Sequence, residues 1–116
     1  MTGGRRWRVV LAPHAERDFA EILRWTVATF GAAQALAYQD LILEAVTALK
    51  DGPAPAGARR RDDLAAGTWT LHIGRGRNRG RHLLVYRQGA AQTIEIARIL
   101  HDSMDVVRHL PPADEP

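Results

Sequence analysis

The sequence has 116 residues, of which 46% are hydrophobic and 25% charged, with no cysteine and a formal net charge of +3. This length suits one domain and is too short for two. The lack of cysteine excludes disulfides and thiolate metal sites. No apolar run approaches the roughly 20 residues that cross a bilayer, and no apolar segment follows the basic N-terminus. We therefore expect one cytoplasmic domain without a signal peptide, with its core at about residues 7–110 and with frayed termini.

Charge is distributed unevenly along the chain. Residues 1–51 carry six basic and six acidic side chains, whereas residues 52–101 carry nine arginines and only three acidic residues. The C-terminal stretch, 102–116, is net acidic. A positive field over the middle of the chain attracts phosphate groups or an acidic partner.

The first half of the sequence predicts a short strand and two helices. Alternating residues from Trp7 to Leu11 indicate the strand, and Pro13 is typical of a first helical turn. An apolar stripe at helical spacing follows, made of Phe19, Ile22, Leu23, Val27 and Phe30. A second stripe contains Leu36, Tyr38, Leu41, Ile42, Ala45, Val46 and Leu49. Because only a residue or two separates the two stripes, the helices must form an antiparallel hairpin.

The second half predicts strands. Residues 52–68 are rich in proline and glycine and form a connector that has room for a short edge strand. Beyond it the apolar period is two, over residues 69–73, 82–87 and 93–100, with short links that favour antiparallel hairpins. The predicted fold is α+β, an antiparallel sheet of three to four strands packed against an α-helical hairpin in the order β-α-α-β-β-β.

Five residues on the predicted strands carry groups that can act as an acid, a base or a cation: His72, His82, Tyr86, Arg87 and Arg98. Cleavage of RNA would need all three, with a base for the 2′-hydroxyl, cations for the charged phosphorane and an acid for the leaving oxygen. Period two places His82 and Tyr86 on one face and Arg87 on the other, so the spacing assembles no acid–base pair. Half-buried structural roles for His82 and Tyr86 are the simpler interpretation.

Arg98 lies in an otherwise apolar strand, where we expect it to share a face with Ile94 and Ile96. A charge in that position is costly unless it is paired or reaches solvent. Arg98 is therefore either a salt-bridged or edge residue, or a grip for an anion.

Other basic and aromatic residues allow two interpretations each. Arg59, Arg60 and Arg61 form a solvated patch, partly neutralised by the two aspartates after them, or a partner contact. The alternating arginines at 75, 77, 79 and 81 give either sequence-blind affinity for nucleic acid or simple solubility. Trp25 is either an edge residue of the core or an anchor for a partner. The five histidines are scattered without metal-ligand spacing, so we expect no metal and no cofactor.

Several segments carry a family resemblance. The stretch Ala97–Asp105, ARILHDSMD, followed by Arg108-His109-Leu110, resembles the closing motif of ParE toxins. Three earlier groups of residues also resemble that family. The first helix of the family is matched by Pro13, Ala15, Asp18 and Ile22, and its helix junction by Phe30, Gly31, Ala35 and Tyr38. The segment that leads from its second helix to the sheet is matched by Leu49, Pro53, Gly57 and Arg59. The resemblance covers about residues 7–110. The loop at residues 74–80 departs from the family in its richness in arginine and glycine.

The resemblance implies the toxin of a type II toxin–antitoxin pair, with the fold shared by RelE and ParE proteins. It further implies DNA gyrase as the target and a ParD-like antitoxin with a ribbon-helix-helix DNA-binding domain. Two alternatives remain: a RelE-like ribosome-dependent mRNA endoribonuclease that uses His82, Tyr86, Arg87 and Arg98, or an inactive domain that only binds its antitoxin.

The favoured interpretation is a toxin that acts by binding and has no catalytic residues. The residues expected to contact the target, with nucleic acid nearby in the target complex, are Arg87, Arg98, His101, Met104 and Arg108. Those expected to contact the antitoxin are Trp25, Arg59, Arg60 and Arg61. We also expect a disordered antitoxin segment to fold against the helical hairpin and the sheet edge.

Overall fold

A computed structural model describes residues 6–74 and 80–103 of the chain. Its elements in chain order are strand β1 (Arg8–Leu11), helix α1 (Pro13–Phe30), helix α2 (Ala32–Ala48), a short 3₁₀ helix (Leu49–Asp51), and strands β2 (Arg59–Arg60), β3 (Thr68–His72), β4 (His82–Gln88) and β5 (Thr93–His101). Residues 1–5 and 104–116, which include most of the termini expected to be frayed beyond residues 7–110, lie outside the described residues.

The two helices form the predicted hairpin. Pro13 opens α1, where its missing N–H costs nothing, and Glu16 in the first turn interacts favourably with the helix dipole. Gly31 alone separates the helices, with φ at 95°, and its N–H donates to the Val27 carbonyl. This left-handed conformation suits glycine and turns the chain back on itself within one residue.

The sheet has the strand order β1-β5-β4-β3-β2. The predicted α+β class with a helical hairpin is confirmed. The sheet has five strands where three to four were expected, because the proline- and glycine-rich connector contributes the two-residue β2. It is also not wholly antiparallel, since β1 runs parallel to β5, with Arg8 opposite Thr93 and Leu11 opposite Ile96. The last strand is therefore an inner strand.

The core lies between the helices and one face of the sheet. Its buried side chains come from both layers and include Ala15, Ile22, Ile42, Leu49, Leu71, Leu84, Tyr86, Ile94 and Ile96. The predicted helical stripes extend too far towards the hairpin tip, because the side chains of Val27, Phe30 and Leu36 are exposed. Large apolar side chains on one end of the hairpin are thus left outside the core.

An irregularity in the β4–β5 pairing changes the face that Arg98 occupies. Ile96 pairs with Tyr86 but Arg98 pairs with Val85, so β5 has one extra residue at Ala97. Successive β4 residues point to opposite faces, and Arg98 is therefore not on the face of Ile94 and Ile96. The expectation that these three share a face was wrong, because a bulge shifts the alternation by one residue.

Neither helix of the described chain combines the length and apolar character needed to cross a bilayer.

Candidate functional site

The four residues considered for RNA cleavage do not meet in one place. Tyr86 is only 1% exposed, and its hydroxyl donates to the Pro53 carbonyl at 2.6 Å. Burial raises the pKa of Tyr86 well above its usual value, so the phenol stays protonated. Arg87 pairs with Glu95 at 3.4 Å. The constellation predicted from sequence is therefore dispersed, with Tyr86 committed to the core.

Arg98 is engaged by a carboxylate from α1. Its Nε and Nη2 atoms donate to the two oxygens of Asp18 at 2.7 and 3.0 Å, a bidentate pair. The Asp18 carboxylate also accepts the backbone N–H of Ile99 at 2.9 Å. The hydrogen bond to Asp18 raises the pKa of Arg98 above its ordinary value. Of the two interpretations of Arg98 from sequence, the structure supports the salt bridge.

The residues expected to contact the target fall into two groups. Arg87 and Arg98 lie on the inner strands, and His101 ends β5. Met104 and Arg108 lie outside the described residues, as do Arg75, Arg77 and Arg79 of the arginine-rich loop. Of these five residues, the described part of the chain brings only His101 to the end of the sheet where β4 begins and β5 ends.

The residues expected to contact the antitoxin lie in two separate regions. Arg59 and Arg60 form β2, the outer strand of the sheet, and Arg60 lies over the Trp69 ring at 5.5 Å. Arg60 pairs with Asp62 at 3.1 Å and Arg61 with Asp63 at 2.9 Å, so the patch is largely neutralised. Trp25 is on α1, 59% exposed, beside none of these arginines.

A polar cluster that the sequence analysis did not find lies where β4 begins and β5 ends. Antiparallel pairing sets His82 opposite His101, with ring centroids 5.3 Å apart. Asp102 follows, and its carboxylate lies 3.3 Å from His72 Nε2, 3.5 Å from Arg81 Nε and 3.5 Å from His101 Nδ1. The pairing of His82 with His101 across β4 and β5 is the signal that could have revealed this cluster. The length of the hairpin alone does not fix that pairing.

Tyr38 of α2 fixes this end of the sheet against the helices. Its hydroxyl accepts the Arg81 N–H at 3.2 Å and lies 2.8 Å from His82 Nδ1. A Cβ at residue 80 would clash with the hydroxyl and ring of Tyr38, so any larger residue in place of Gly80 would force Tyr38 to move. Helix α2 and the start of β4 are thereby held in direct contact.

The surroundings of His82 keep its ring neutral. Burial, together with the nearby His101, lowers the pKa of His82 to about 4. His82 is therefore neutral at physiological pH. Its Nδ1 atom shares a hydrogen bond with the Tyr38 hydroxyl, whose pKa is raised by burial.

The charged groups of the cluster are paired with one another. Arg81 is the one arginine among its described residues, and Asp102 neutralises part of that charge. The same carboxylate also engages His72 and His101.

An apolar groove of about 500 Å³ lies between this cluster and the helical hairpin. The helices line it with Glu21, Ile22, Trp25, Thr26 and Phe30 of α1 and with Gln34 and Tyr38 of α2, and the sheet end lines it with Gly80, Arg81, His82 and His101. Trp25 and Phe30 meet edge to face at 5.7 Å between ring centroids. Exposed aromatic side chains next to a cleft are typical of protein-binding sites.

Among the described residues, no three His, Asp or Glu side chains are grouped closely enough to hold a metal ion.

Comparison of this chain with known proteins points to one family. The ParE toxin family of type II toxin–antitoxin systems, parDE, matches residues 9–106. A solved structure of a chromosomal ParDE toxin–antitoxin system from P. aeruginosa is 24% identical, with a TM-score of 0.67 over 84% of this chain and 98% of that one. The RelBE2 toxin–antitoxin complex from Mycobacterium tuberculosis is 21% identical, with a TM-score of 0.51 over 85% and 94%. No curated protein sequence gives a significant match.

The two structural likenesses concern the fold, and both lie below 25% identity. The family match spans most of the chain, including β1, the helical hairpin and all the strands that form the polar cluster. The chain belongs to the ParE family and is a ParE-type toxin of a type II toxin–antitoxin system.

Proposed function

We propose that this toxin inhibits DNA gyrase by binding it in the cytoplasm, without catalysing a reaction of its own. A ParD-like antitoxin with a ribbon-helix-helix domain neutralises it. In this mechanism the toxin binds one state of the gyrase cleavage cycle more tightly than the others. Tighter binding of the cut complex raises its population, because a ligand shifts an equilibrium by its differential affinity.

One observation carries the proposal. The four residues that an mRNA endoribonuclease of this fold would use are dispersed, with Tyr86 in the core, Arg98 held by Asp18 and Arg87 paired with Glu95. His82 is separately engaged by Tyr38. A nuclease requires its acid, base and cations within reach of one phosphate, and this arrangement does not supply them. Inhibition by binding needs no such convergence.

The target surface proposed here includes Arg87, Arg98 and His101, together with Met104 and Arg108 beyond the described residues. Arg98 contributes mainly by holding β5 against α1, because its guanidinium is already occupied by Asp18. Arg87 is more accessible, since its side chain is 36% exposed. We therefore expect Arg87 to contribute more to target affinity than Arg98.

The test compares two activities of the purified chain. In one reaction it is incubated with gyrase and supercoiled plasmid, and in the other with a cell-free translation system. Accumulation of cleaved plasmid is the expected result. Codon-dependent cuts in the mRNA would instead support the endoribonuclease alternative, and silence in both reactions would support an inactive antitoxin-binding domain.

A matched pair of variants sharpens the comparison. Tyr86→Phe removes only the buried hydroxyl, and a toxin that acts by binding keeps its plasmid-cleavage activity within about twofold once the variant is shown to be folded. Arg87→Gln is expected to reduce that activity by about two- to fivefold, the range for an exposed charge contact. Loss of activity in Tyr86→Phe with none in Arg87→Gln would contradict the proposal.

A further inference from the structure

The outer face of the sheet, which is turned away from the helices, has a centre that is almost completely buried. Val85 of β4 lies there between Thr70 of β3 and Arg98 of β5. The exposed fraction is 1% for Val85, 5% for Thr70 and 6% for the neighbouring Ala97. Leu100, further along β5, is 2% exposed. A sheet covered by helices on one side normally leaves its other face in contact with water.

The helices of the described chain do not account for this burial. Side chains alternate between the two faces along each strand, and the core beneath the helices includes Leu84, Tyr86 and Ile99. Val85 and Leu100 belong to the alternate set and lie outside that core cluster. The outer face therefore needs a layer other than the helical hairpin.

The course of the chain indicates which segment supplies this layer. Residues 104–116 come just after the end of β5, where Leu100 lies. Residues 1–5 precede β1, which pairs with β5 at its opposite end, around Thr93. Residues 75–79 have the sequence RGRNR, without an apolar side chain. The C-terminal segment is thus the one that begins beside the buried surface and has apolar residues to place on it.

The sequence of the C-terminal segment matches the outer face in pattern and in length. Spaced as in a helix, residues 104–110 have one apolar side and one polar side. The apolar side comprises Met104, Val106, Val107 and Leu110. In a helix these residues would span about 10 Å. The distance along β4 from His82 to Val85 is also about 10 Å.

Charge favours the same arrangement. Arg59 lies opposite Thr70, and Arg87 opposite Thr68, so both arginines border the buried centre on the outer face. The end of the chain is acidic, with Asp114 and Glu115. An acidic segment is attracted to a face bordered by arginines, and the attraction orients it.

We propose that the C-terminal segment, residues 104–116, folds back over the outer face of the sheet. Its part from 104 to 110 covers Val85 and Leu100 with its apolar side, and its acidic end lies towards Arg59 and Arg87. The toxin then has three layers, with the sheet in the middle.

This docking changes how the target surface is built, a consequence that rests on the proposed function. Met104 packs on the sheet, whereas Arg108 lies on the polar side of the segment and faces solvent. Target contacts are therefore expected from Arg108 and not from Met104.

The absence of cysteine from the sequence allows the outer face to be probed with one introduced thiol. Val85→Cys reports on this face, and Thr70→Cys replaces it if the first variant does not fold. Ala45→Cys, at a position 8% exposed beneath the helices, reports on the core. Each full-length variant is reacted with dithionitrobenzoate, with and without the substitutions Val107→Asp and Leu110→Asp. We expect the two aspartates to speed the reaction at residue 85 at least about tenfold and to leave residue 45 unchanged.

Two further variants test the sides of the segment. His109→Asp lies on the polar side and is the control, so it should leave the reaction at residue 85 unchanged. Asp114→Asn combined with Glu115→Gln removes the attraction to the arginines and is expected to speed that reaction by about two- to fivefold.

Several results would overturn the docking. A thiol at residue 85 that reacts at the same rate with and without the two aspartates shows that the segment does not cover it. Equal acceleration at residues 45 and 85 shows a contribution to the whole fold instead of cover for one face. Protection that is lost on dilution assigns the cover to a second copy of the chain. None of these measurements involves gyrase, so their failure leaves the proposed target inhibition standing.

Discussion

His82 is the residue whose protonation is most altered by the fold. Burial of its ring opposes the charged form, and the His101 ring lies against it at 5.3 Å between centroids. Its Nδ1 atom is 2.8 Å from the Tyr38 hydroxyl, a hydrogen bond that a neutral imidazole can make. A second proton would add a positive charge to a half-buried ring beside His101. The fold therefore resists protonation at this position, although Asp102 and Asp18 partly favour it.

This resistance predicts how the stability of the protein depends on pH. The pKa of His82 is about 4 in the folded protein and about 6.5 in the unfolded chain, so only the unfolded chain takes up this proton between those values. The free energy of unfolding is therefore expected to fall as pH is lowered from 6.5 to 4. The expected contribution is on the order of 1–2 kcal/mol, reduced by the partial exposure of the ring.

Urea unfolding at pH 7.5, 6.0 and 4.5 measures this contribution. His82→Asn keeps an acceptor for the Tyr38 hydroxyl but does not titrate, so its stability is expected to vary less with pH than that of the wild type. His14→Asn, at an exposed position on α1, is the control and should leave the pH dependence unchanged. Equal pH dependence in wild type and His82→Asn would contradict the prediction.

Single residues were predictable to different degrees. The apolar surroundings of Arg98 left two interpretations open, a salt bridge or edge position and a grip for an anion, and the structure shows a salt bridge. Its partner, Asp18, is 80 residues away in sequence and could not be named. The polar cluster was missed because His72, Arg81, His101 and Asp102 are scattered in sequence and meet only through the register of three strands.

At the scale of elements, a side chain of α1 satisfies the edge of β5 beyond the point where β1 ends. The parallel pairing ends at Leu11 opposite Ile96, so beyond that point no strand within residues 6–74 and 80–103 pairs with β5 on this side. There the Asp18 carboxylate accepts hydrogen bonds from the backbone N–H of Ile99 and from the Nε and Nη2 atoms of Arg98. One carboxylate thus satisfies an exposed strand edge and joins the first helix to the last strand.

This junction predicts a non-additive effect of mutation. Asp18→Asn removes the negative charge beside a guanidinium that is only 20% exposed, and we expect it to destabilise the protein by about 2–4 kcal/mol. Arg98→Met removes the charge but keeps much of the apolar stem. The double variant is therefore expected to be more stable than Asp18→Asn alone.

The measurement is a double-mutant cycle of unfolding free energies in urea. Glu16→Gln on the exposed side of the same helix serves as the control and should cost less than about 0.5 kcal/mol. Additive effects of Asp18→Asn and Arg98→Met would show that the two side chains are not coupled in the folded protein.

The helices and strands themselves were more predictable than the order in which the strands lie in the sheet. Helical periodicity and the breakers at Gly31 and Pro53 gave the hairpin, and period two gave β3, β4 and β5. The parallel neighbour of β5 could not be predicted, because nothing local links residues 8–11 to residues 93–96. The bulge at Ala97 leaves no mark in composition, and for that reason the face of Arg98 was assigned wrongly.

At the scale of the whole molecule, apolar surface is concentrated at one end of the helical hairpin. Trp25, Val27, Phe30 and Leu36 are all at least 48% exposed. Side chains of this kind associate with one another when no partner covers them. The isolated toxin is therefore expected to self-associate through this surface.

This expectation is testable with a surface variant. Phe30→Gln combined with Leu36→Gln is expected to shift the isolated chain towards monomer in sedimentation velocity, with little loss of thermal stability because neither side chain is in the core. Arg17→Gln combined with Arg24→Gln, at exposed positions on α1, is the control for a change of two surface residues. Unchanged association in the apolar variant would place the contact elsewhere.

The parallel pairing of the first strand with the last also affects how the chain is made. β5 lies between β1 and β4, so the centre of the sheet forms only when the residues from Thr93 onward are available. The helical hairpin can form early from local contacts, whereas the centre of the sheet must wait for the residues of β5. A growing chain that has not reached β5 therefore lacks the strand that carries Arg98 and His101, two residues of the proposed target surface.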